Sequence, residues 1–271
     1  MHIDNAMMSI RGKTRERDED AVCLIFSSFE SETENHGEFF CALADGMGGM
    51  DRGELASKLS VIEAKHIGTS MLSKDMSPLE IVNSIKRIYQ NANDALITYA
   101  SRNANARLGT TLVVAYSNGS ELYVGNVGDS RLYIFNSGKR SFRTADHSYV
   151  QLLADQGVIT EEEAKIHPRK NEMTRAIGLE EDPTPDIYRL RLFRGDSILL
   201  CCDGLWEAYD DRIMANTLMS TMSCHDSLES MILRANEVDG SDNISGILVR
   251  PFVETTEESA LKRPTKSITQ D

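Results

Sequence analysis

Phe39-Phe40-Cys41-Ala42-Leu43-Ala44-Asp45-Gly46-Met47-Gly48-Gly49 is the stretch around which the rest of the chain is organised. Residues 39–43 form a short apolar run bounded by a turn signal, which predicts a buried strand. Such a strand aims the Asp at its tip into a cleft, and glycines let backbone groups approach a ligand because no Cβ stands in the way. A tight turn that happens to contain Asp would look the same in isolation. The same design recurs, however. Ser197-Ile198-Leu199-Leu200-Cys201-Cys202 runs into Asp203-Gly204, and Gly240-Ser241-Asp242-Asn243 precedes an apolar run from Ile244 to Val249.

On the N-terminal side, the charged run Arg15 to Asp20 leads at once into Ala21-Val22-Cys23-Leu24-Ile25-Phe26, a second apolar strand. Glu19 and Asp20 therefore sit at a strand's start, where one of them can point inward. After Gly53 the periodicity turns helical. Leu55, Leu59, Ile62 and His66 share one face. Leu79, Val82, Ile85, Ile88, Tyr89, Ala92, Leu96 and Tyr99 repeat along a second helix, which opens on Ser77-Pro78-x-Glu80, a capping box with Pro at N1. Both stripes read as core packing.

From Leu108 the texture becomes strand-like. Thr110 to Tyr116 and Glu121 to Val127 flank Asn118-Gly119, a strong hairpin signal. Gly128-Asp129-Ser130, Arg131 to Phe135 and a turn at Asn136-Ser137-Gly138 follow, and the order predicts an antiparallel meander broken at Asp129. Residues 147–173 are polar and helical, with Thr160 and Glu163 as another capping box, and read as an insertion between strands. Strand texture returns at Ile187 to Leu192. Asp226 with Glu229 marks a last helix start. Beyond Pro251 the Thr-, Glu- and Lys-rich residues 253–271 read as a disordered tail or linker.

With 271 residues, 41% hydrophobic and 26% charged, the chain has the composition of an ordinary globular protein. Its formal net charge of -13 and lack of a basic cluster argue against a nucleic-acid partner. Of the five cysteines, Cys23, Cys41, Cys201 and Cys202 lie in apolar runs, as reduced buried thiols do, which predicts a cytoplasmic protein. No apolar h-region or membrane-length span appears. No feature calls for an oligomer, so a monomer is expected.

Strands, then long helices, then more strands predict a layered α+β domain. Asp45, Asp203 and Asp242 lie at strand–loop junctions next to glycine, and Glu19, Asp20 and Asp129 have similar settings. Converging carboxylates repel one another unless cations hold them. The donors are all oxygen, which selects the hard ions Mg²⁺ or Mn²⁺. Two such ions activate a water and clamp an in-line displacement at phosphorus. Arg15 suits a phosphoryl group through bidentate pairing, or else forms a surface salt bridge.

Eight motifs then occur in order: Arg15-x-x-Asp18-Glu19-Asp20, Asp45-Gly46-Met47-Gly48-Gly49, Gly109-Thr110-Thr111, Val127-Gly128-Asp129-Ser130-Arg131, Asp146-His147-Ser148, Thr174-Arg175-Ala176-Ile177-Gly178, Cys202-Asp203-Gly204-Leu205-Trp206 and Gly240-Ser241-Asp242-Asn243. Across residues 9–250 the chain resembles the metal-dependent type 2C Ser/Thr protein phosphatases, bacterial branch. The resemblance implies a central β-sandwich of two antiparallel sheets flanked by helices on both sides, and a dinuclear Mn²⁺/Mg²⁺ centre.

By motif position Asp45 would bridge both ions and the Gly46 carbonyl would ligate one. Asp203 and Asp242 would hold one ion, and Glu19 would reach the other through water supported by Asp20. Asp129 with Asp203 would match a weaker third site, and Arg15 would bind the substrate phosphate. Residues 1–252 would form the catalytic domain, with 147–173 as its flap. The activity implied is hydrolysis of phosphoserine and phosphothreonine on proteins, opposing a Ser/Thr kinase. Two further readings share the fold: a catalytically weak phosphoprotein-binding regulatory domain, and a partner-switching phosphatase for an anti-sigma antagonist. Two departures stand out. Asp18 replaces the usual Asn, and Met47 stands where animal members place a proton-donating His. That leaves the general acid open between a metal-bound water and, second, His147.

Overall fold

The computed structural model describes residues 3–27, 37–47, 52–103, 106–179 and 183–251. In chain order its elements are β1 (Asp4–Ile10), β2 (Asp20–Phe26), β3 (Glu38–Asp45), α1 (Gly53–Leu72), α2 (Pro78–Arg102), β4 (Leu112–Asn118), β5 (Glu121–Val127), β6 (Arg131–Asn136), β7 (Lys139–Arg143), α3 (Tyr149–Asp155), α4 (Glu161–Ile166), β8 (Asp186–Arg191), β9 (Ser197–Cys201), α5 (Asp203–Trp206), α6 (Asp211–Leu218), α7 (Cys224–Val238) and β10 (Ile244–Arg250). The strands form two antiparallel five-stranded sheets, β1-β10-β9-β6-β7 and β2-β3-β4-β5-β8.

The apolar run at 39–43 is explained by burial on both faces. Phe39, Cys41 and Leu43 join the core between the sheets, where they meet Leu132, Ile134, Leu200 and Ile247 of the other sheet. Phe40, Ala42 and Ala44 face the opposite way, into a second core with Ile67 and Met71 of α1 and Ile85, Ile88 and Tyr89 of α2. On the far side, α5, α6 and α7 cover the β1-β10-β9-β6-β7 sheet through Leu205, Met214, Leu228 and Met231. The layers therefore run helix, sheet, sheet, helix, as the resemblance implied.

Four local expectations are corrected. The first helix buries Ala56, Ser60, Ala64, Ile67 and Met71, whereas Ile62 is 58% exposed. Small residues line the contact because α1 lies against β3 so closely that a Cβ on Gly68 would come within 2.4 Å of the Phe40 ring. In α2 the capping box at Ser77 and Glu80 is present with Pro78 inside the first turn, but Leu79 stands 70% exposed and Ile81 takes its place in the core. The last long helix starts at Ser223, whose hydroxyl accepts from the Asp226 N–H, so Asp226 is the third residue of the cap and not its first.

The meander, finally, is split. β4 and β5 pair in one sheet, while β6 and β7 pair in the other. Gly128-Asp129-Ser130 is thus a crossing between sheets. The strand β1 had no sequence signal because only Ala6 of it is fully buried, as an edge strand paired on one side with β10. The expected tail at 253–271 lies outside the described residues.

Candidate metal centre

Both sheets deliver carboxylates to the same end of the sandwich. Asp20 opens β2 and Asp45 closes β3, and the antiparallel register places them directly opposite each other. Side chains so placed share a face of the sheet at close range, and like charges there destabilise. From the other sheet, Asp203 follows β9 and Asp242 precedes β10, two strands that are themselves paired. Asp129 arrives on the crossing between the sheets. Turn chemistry fixes two of these groups: the Gly204 N–H donates to Asp203 Oδ1 at 2.7 Å and the Asn243 N–H to Asp242 Oδ1 at 2.8 Å.

The field these groups create is visible in their acidities. Burial, followed by the charges of Asp20, Asp203, Asp129 and Asp242, holds the Asp45 carboxyl well above the usual carboxylate range. Burial with Asp203 and Asp146 raises Asp129 to about 8, and burial with Asp242 and Glu207 raises Asp203 to about 6. Asp20 lies deepest, 6% exposed, and both of its oxygens are buried without a hydrogen-bond partner. Burial, with Asp18 and Asp203 adding, pushes it up to about 7; Ser245 and Cys202 offset part of the rise without reaching it in hydrogen-bond geometry. One oxygen each of Asp20 and Asp45 and the Cys202 sulfur lie within 4.8 Å of one another.

Arg15 is the one arginine the structure pairs with this cluster among the described residues: Nη2 donates to Asp242 Oδ2 at 2.7 Å, and Nη1 lies 3.9 Å from Glu19 Oε2. Burial lowers its pKa, but Asp242, Glu19 and Asp45 outweigh that and leave it raised. Glu19 is held by its backbone. Its N–H donates to Asn243 Oδ1 at 2.9 Å and its carbonyl accepts from the Gly46 N–H at 3.1 Å. Only glycine fits at 46, since a Cβ there would stand 2.3 Å from the Gly53 carbonyl oxygen and 2.6 Å from that of Glu19. Arg15, Glu19, Asp20, Asp45, Gly46, Asp129, Asp203 and Asp242 are therefore brought to one place. Gly48 and Gly49 lie outside the described residues.

The donor set fits hard divalent cations. Buried carboxylates facing one another, with orphaned oxygens and one guanidinium for balance, are unstable alone and stabilised by Mg²⁺ or Mn²⁺. Asp18, the departure from the family pattern, sits at the edge of the cluster, where its charge adds to the rise at Asp20. It accepts from Ser9 Oγ at 2.5 Å and from the Asp20 N–H at 3.1 Å, and so ties the start of β2 to β1.

Three supports had no role in the sequence reading, although their motifs were visible. Thr111 Oγ1 accepts from the Asp45 N–H at 2.9 Å, and Thr110 Oγ1 donates to the Asp45 carbonyl at 2.7 Å. Asn243 Nδ2 donates to the carbonyls of Arg11 and Arg17, both at 2.9 Å, which clamps the loop that carries Arg15. Trp206 donates from Nε1 to the Asp129 carbonyl at 3.1 Å, and the Arg131 guanidinium stacks 3.3 Å from the Trp206 ring centre. Hydroxyl and amide residues carry no signal of their own until a partner is known.

His147 is set aside as a proton donor. Its Nδ1 accepts from the Gly128 N–H at 3.2 Å, Nε2 faces Asp186 Oδ2 at 3.5 Å, and the side chain is 2% exposed. It belongs instead to the root of the insertion. There the Thr174 N–H donates to the His147 carbonyl and the Tyr149 N–H to the Glu172 carbonyl, each at 2.8 Å. These bonds tie residues 147–149 to 172–174 and close the segment at its base. Above that base lie α3 and α4, and α4 buries no residue.

The chain is similar in sequence and fold to known proteins. The serine/threonine phosphatase stp of Listeria welshimeri serovar 6b is 35% identical over 211 residues, covering 76% of this chain and 82% of its own. The crystal structure of the serine/threonine phosphatase Stp1 from Staphylococcus aureus superposes with a TM-score of 0.82 at 29% identity, over 93% of this chain and 96% of its own. The catalytic domain of serine threonine protein phosphatase PstP, solved with two manganese ions, gives a TM-score of 0.75 at 28% identity, over 92% and 97%. The family model described as Protein phosphatase 2C matches residues 5–234. Sequence and fold thus converge, and the chain belongs to the protein phosphatase 2C family.

Proposed function

We propose that this chain hydrolyses phosphoserine and phosphothreonine on proteins with a pair of Mn²⁺ or Mg²⁺ ions held at the carboxylate cluster. The observation that carries the reading is the direct cross-strand opposition of Asp20 and Asp45, with the buried oxygens of Asp20 unpartnered. Asp45 would bridge the ions with the Gly46 carbonyl beside it; Asp203 and Asp242 would complete one site, and Glu19 and Asp20 the surroundings of the other. Asp129 with Asp203 would offer a weaker third position. Bound there, such ions supply an activated water and neutralise charge that develops on the phosphoryl oxygens.

The protein's own groups orient the substrate. Arg15 gives up its contact with Asp242 to form a bidentate pair with the phosphoryl group, which sets the phosphorus over the cluster. Asn243 holds the Arg15 loop, and Thr111 and Thr110 hold the tip of β3, so the geometry exists before substrate arrives. Residues 1–252 act as the catalytic unit, with 147–173 as a flap beside the cleft. The five buried thiols suit a cytoplasmic monomer that acts on phosphoproteins made by a Ser/Thr kinase.

The test is a Mn²⁺ titration of hydrolysis, run on a phosphothreonine peptide and on p-nitrophenyl phosphate. Both rates should rise from near zero with metal, and Asp203→Asn should remove them. Turnover that persists in chelator, or an Asp203→Asn variant that keeps most of its activity, ends the assignment.

A further inference from the structure

The cleft that opens from the carboxylate cluster holds a charge that hydrolysis of the phosphoester does not use. Its volume is about 790 Å³, and it runs from Asp129 and Asp203 along β6 and β7, beneath the flap and beside α6. Three of the six cations on its walls have carboxylate partners, Arg131 with Asp146, Arg140 with Asp211 and Lys170 with Glu207, while Lys165 and Arg212 are exposed to solvent. Arg143 at the end of β7 is different. It is half-buried, its Nη2 makes one long contact of 3.4 Å to Gln151 Oε1, and no described carboxylate pairs with it. A guanidinium drawn partly out of water without a counter-charge is costly, and its planar fork matches carboxylate and phosphate.

The sheet register gives the position of this group relative to the reacting centre. Arg143 lies opposite Tyr133, four positions beyond Asp129 along the chain. At about 3.3 Å per residue Tyr133 lies at most about 13 Å from Asp129, and Arg143 sits one strand spacing of about 4.8 Å to its side, so the two backbones are about 14 Å apart, the span of about four residues of an extended peptide. We propose that Arg143 is a specificity-determining residue that pairs with a second anionic group of the substrate, a carboxylate or a second phosphate, within about four residues of the phosphorylated position. The proposal rests on the phosphatase reading of the centre. Glu161 and Glu162 on the opposite wall are exposed on the first turn of α4, where solvent screens their opposition to an incoming anion.

The experiment uses the full chain with Mn²⁺ and three phosphothreonine peptides. One carries Glu residues at two to four positions on either side, one carries Gln there, and one carries a second phosphate. p-Nitrophenyl phosphate serves as a substrate too small to reach Arg143. The Glu or doubly phosphorylated peptide should exceed the Gln peptide in kcat/KM by about five- to tenfold, mostly through KM, the scale of a partly exposed charge pair. Arg143→Leu should reduce that preference to less than twofold and leave the aryl phosphate rate unchanged. Arg143→Lys should restore part of it. Which of the two anionic peptides depends on Arg143 identifies the anion. A preference that survives in Arg143→Leu, or no preference in the unaltered protein while the aryl phosphate is hydrolysed, overturns the proposal and leaves the metal centre standing. Equal loss on all substrates in a folded Arg143→Leu and a folded Arg143→Gln makes the residue structural and overturns it too. A parent protein inactive on every substrate would indict the phosphatase reading itself.

Discussion

Two charge clusters meet at one end of the sandwich, and they are built on opposite rules. Around Arg131 the charges balance. Its guanidinium donates to both oxygens of Asp146, at 2.8 and 2.5 Å, and to Tyr133 Oη at 2.8 Å, and it stacks on Trp206. Burial would lower its pKa, yet Asp146 and Tyr133 keep it raised. Around Asp45 the charges do not balance, and the carboxyl pKa values rise because the groups are buried and face other carboxylates. The two meet at Asp129, whose carbonyl accepts from Trp206 Nε1 and whose carboxyl feels the charges of Asp146 and Arg131. A buried cluster whose charges balance is scaffolding, whereas one in which carboxylates outnumber cations is suited to bind cations.

This contrast fixes what each perturbation should do. Asp45→Asn removes the group at the centre of the unbalanced cluster. Mn²⁺-dependent hydrolysis of a phosphopeptide should fall by at least about a thousandfold, beyond the roughly 10–100-fold of changes to supporting residues. The ion-free protein should meanwhile melt no lower than its parent, because a source of repulsion is gone. Near-full activity in this variant would dissolve the distinction between the clusters.

Breaking the balanced cluster should have the reverse emphasis. Arg131→Met leaves Asp146 buried and uncompensated, a loss of about 3 kcal/mol or more in stability. Thermal unfolding should register it as a drop of roughly 6–12 °C for a domain of this size. A drop under about 2 °C would show that the pair is not load-carrying in the fold.

Metal and pH should act on one cluster alone. In chelator, Asp20, Asp129 and Asp203 titrate in the fold near 7, 8 and 6, all above the ordinary carboxylate value. The folded state thus holds more protons than the unfolded chain. The stability this gives is complete below about pH 4 and is lost as pH rises through 6 to 8. Melting temperature in chelator should therefore fall between pH 5.5 and 8.5. Mn²⁺ at a hundred times its dissociation constant should add about 2.7 kcal/mol per site and remove the decline. A flat ion-free profile would mean that the carboxylates are already compensated.

The gentlest probe is Thr111→Val. It leaves the Asp45 N–H and Ser130 without their hydroxyl partner, at a cost of about 1–2 kcal/mol in stability. Turnover should fall by about tenfold, the scale of a supporting residue. An unchanged kcat would show that the tip of β3 is positioned without Thr111.

Much of this molecule was legible along the chain because the decisive signals are local. An apolar run ending in Asp-Gly marks a strand tip, Asn118-Gly119 marks a hairpin, and Ser77 with Glu80 marks a helix start, each from chemistry within a few residues. The order of the motifs then carried the family's fold and named Arg15, Glu19, Asp20, Asp45, Gly46, Asp129, Asp203 and Asp242 as candidates for the centre. The face of α1 was misread because close packing against Phe40 favours Ala, Ser and Gly, which periodicity does not count as core.

Spacing along the chain could say that Asp20, Asp45, Asp203 and Asp242 were of one kind, but not that they meet. Register and the sandwiching of two sheets settled that, by setting Asp20 against Asp45 and bringing the β9 and β10 tips beside them. The same packing buried His147 behind Gly128, left Arg143 in the cleft without a carboxylate partner among the described residues, and made Asp129 a crossing between sheets. Residue chemistry is carried by each position alone, whereas charge balance is a property of neighbours, and neighbours distant in sequence exist only once the chain has folded.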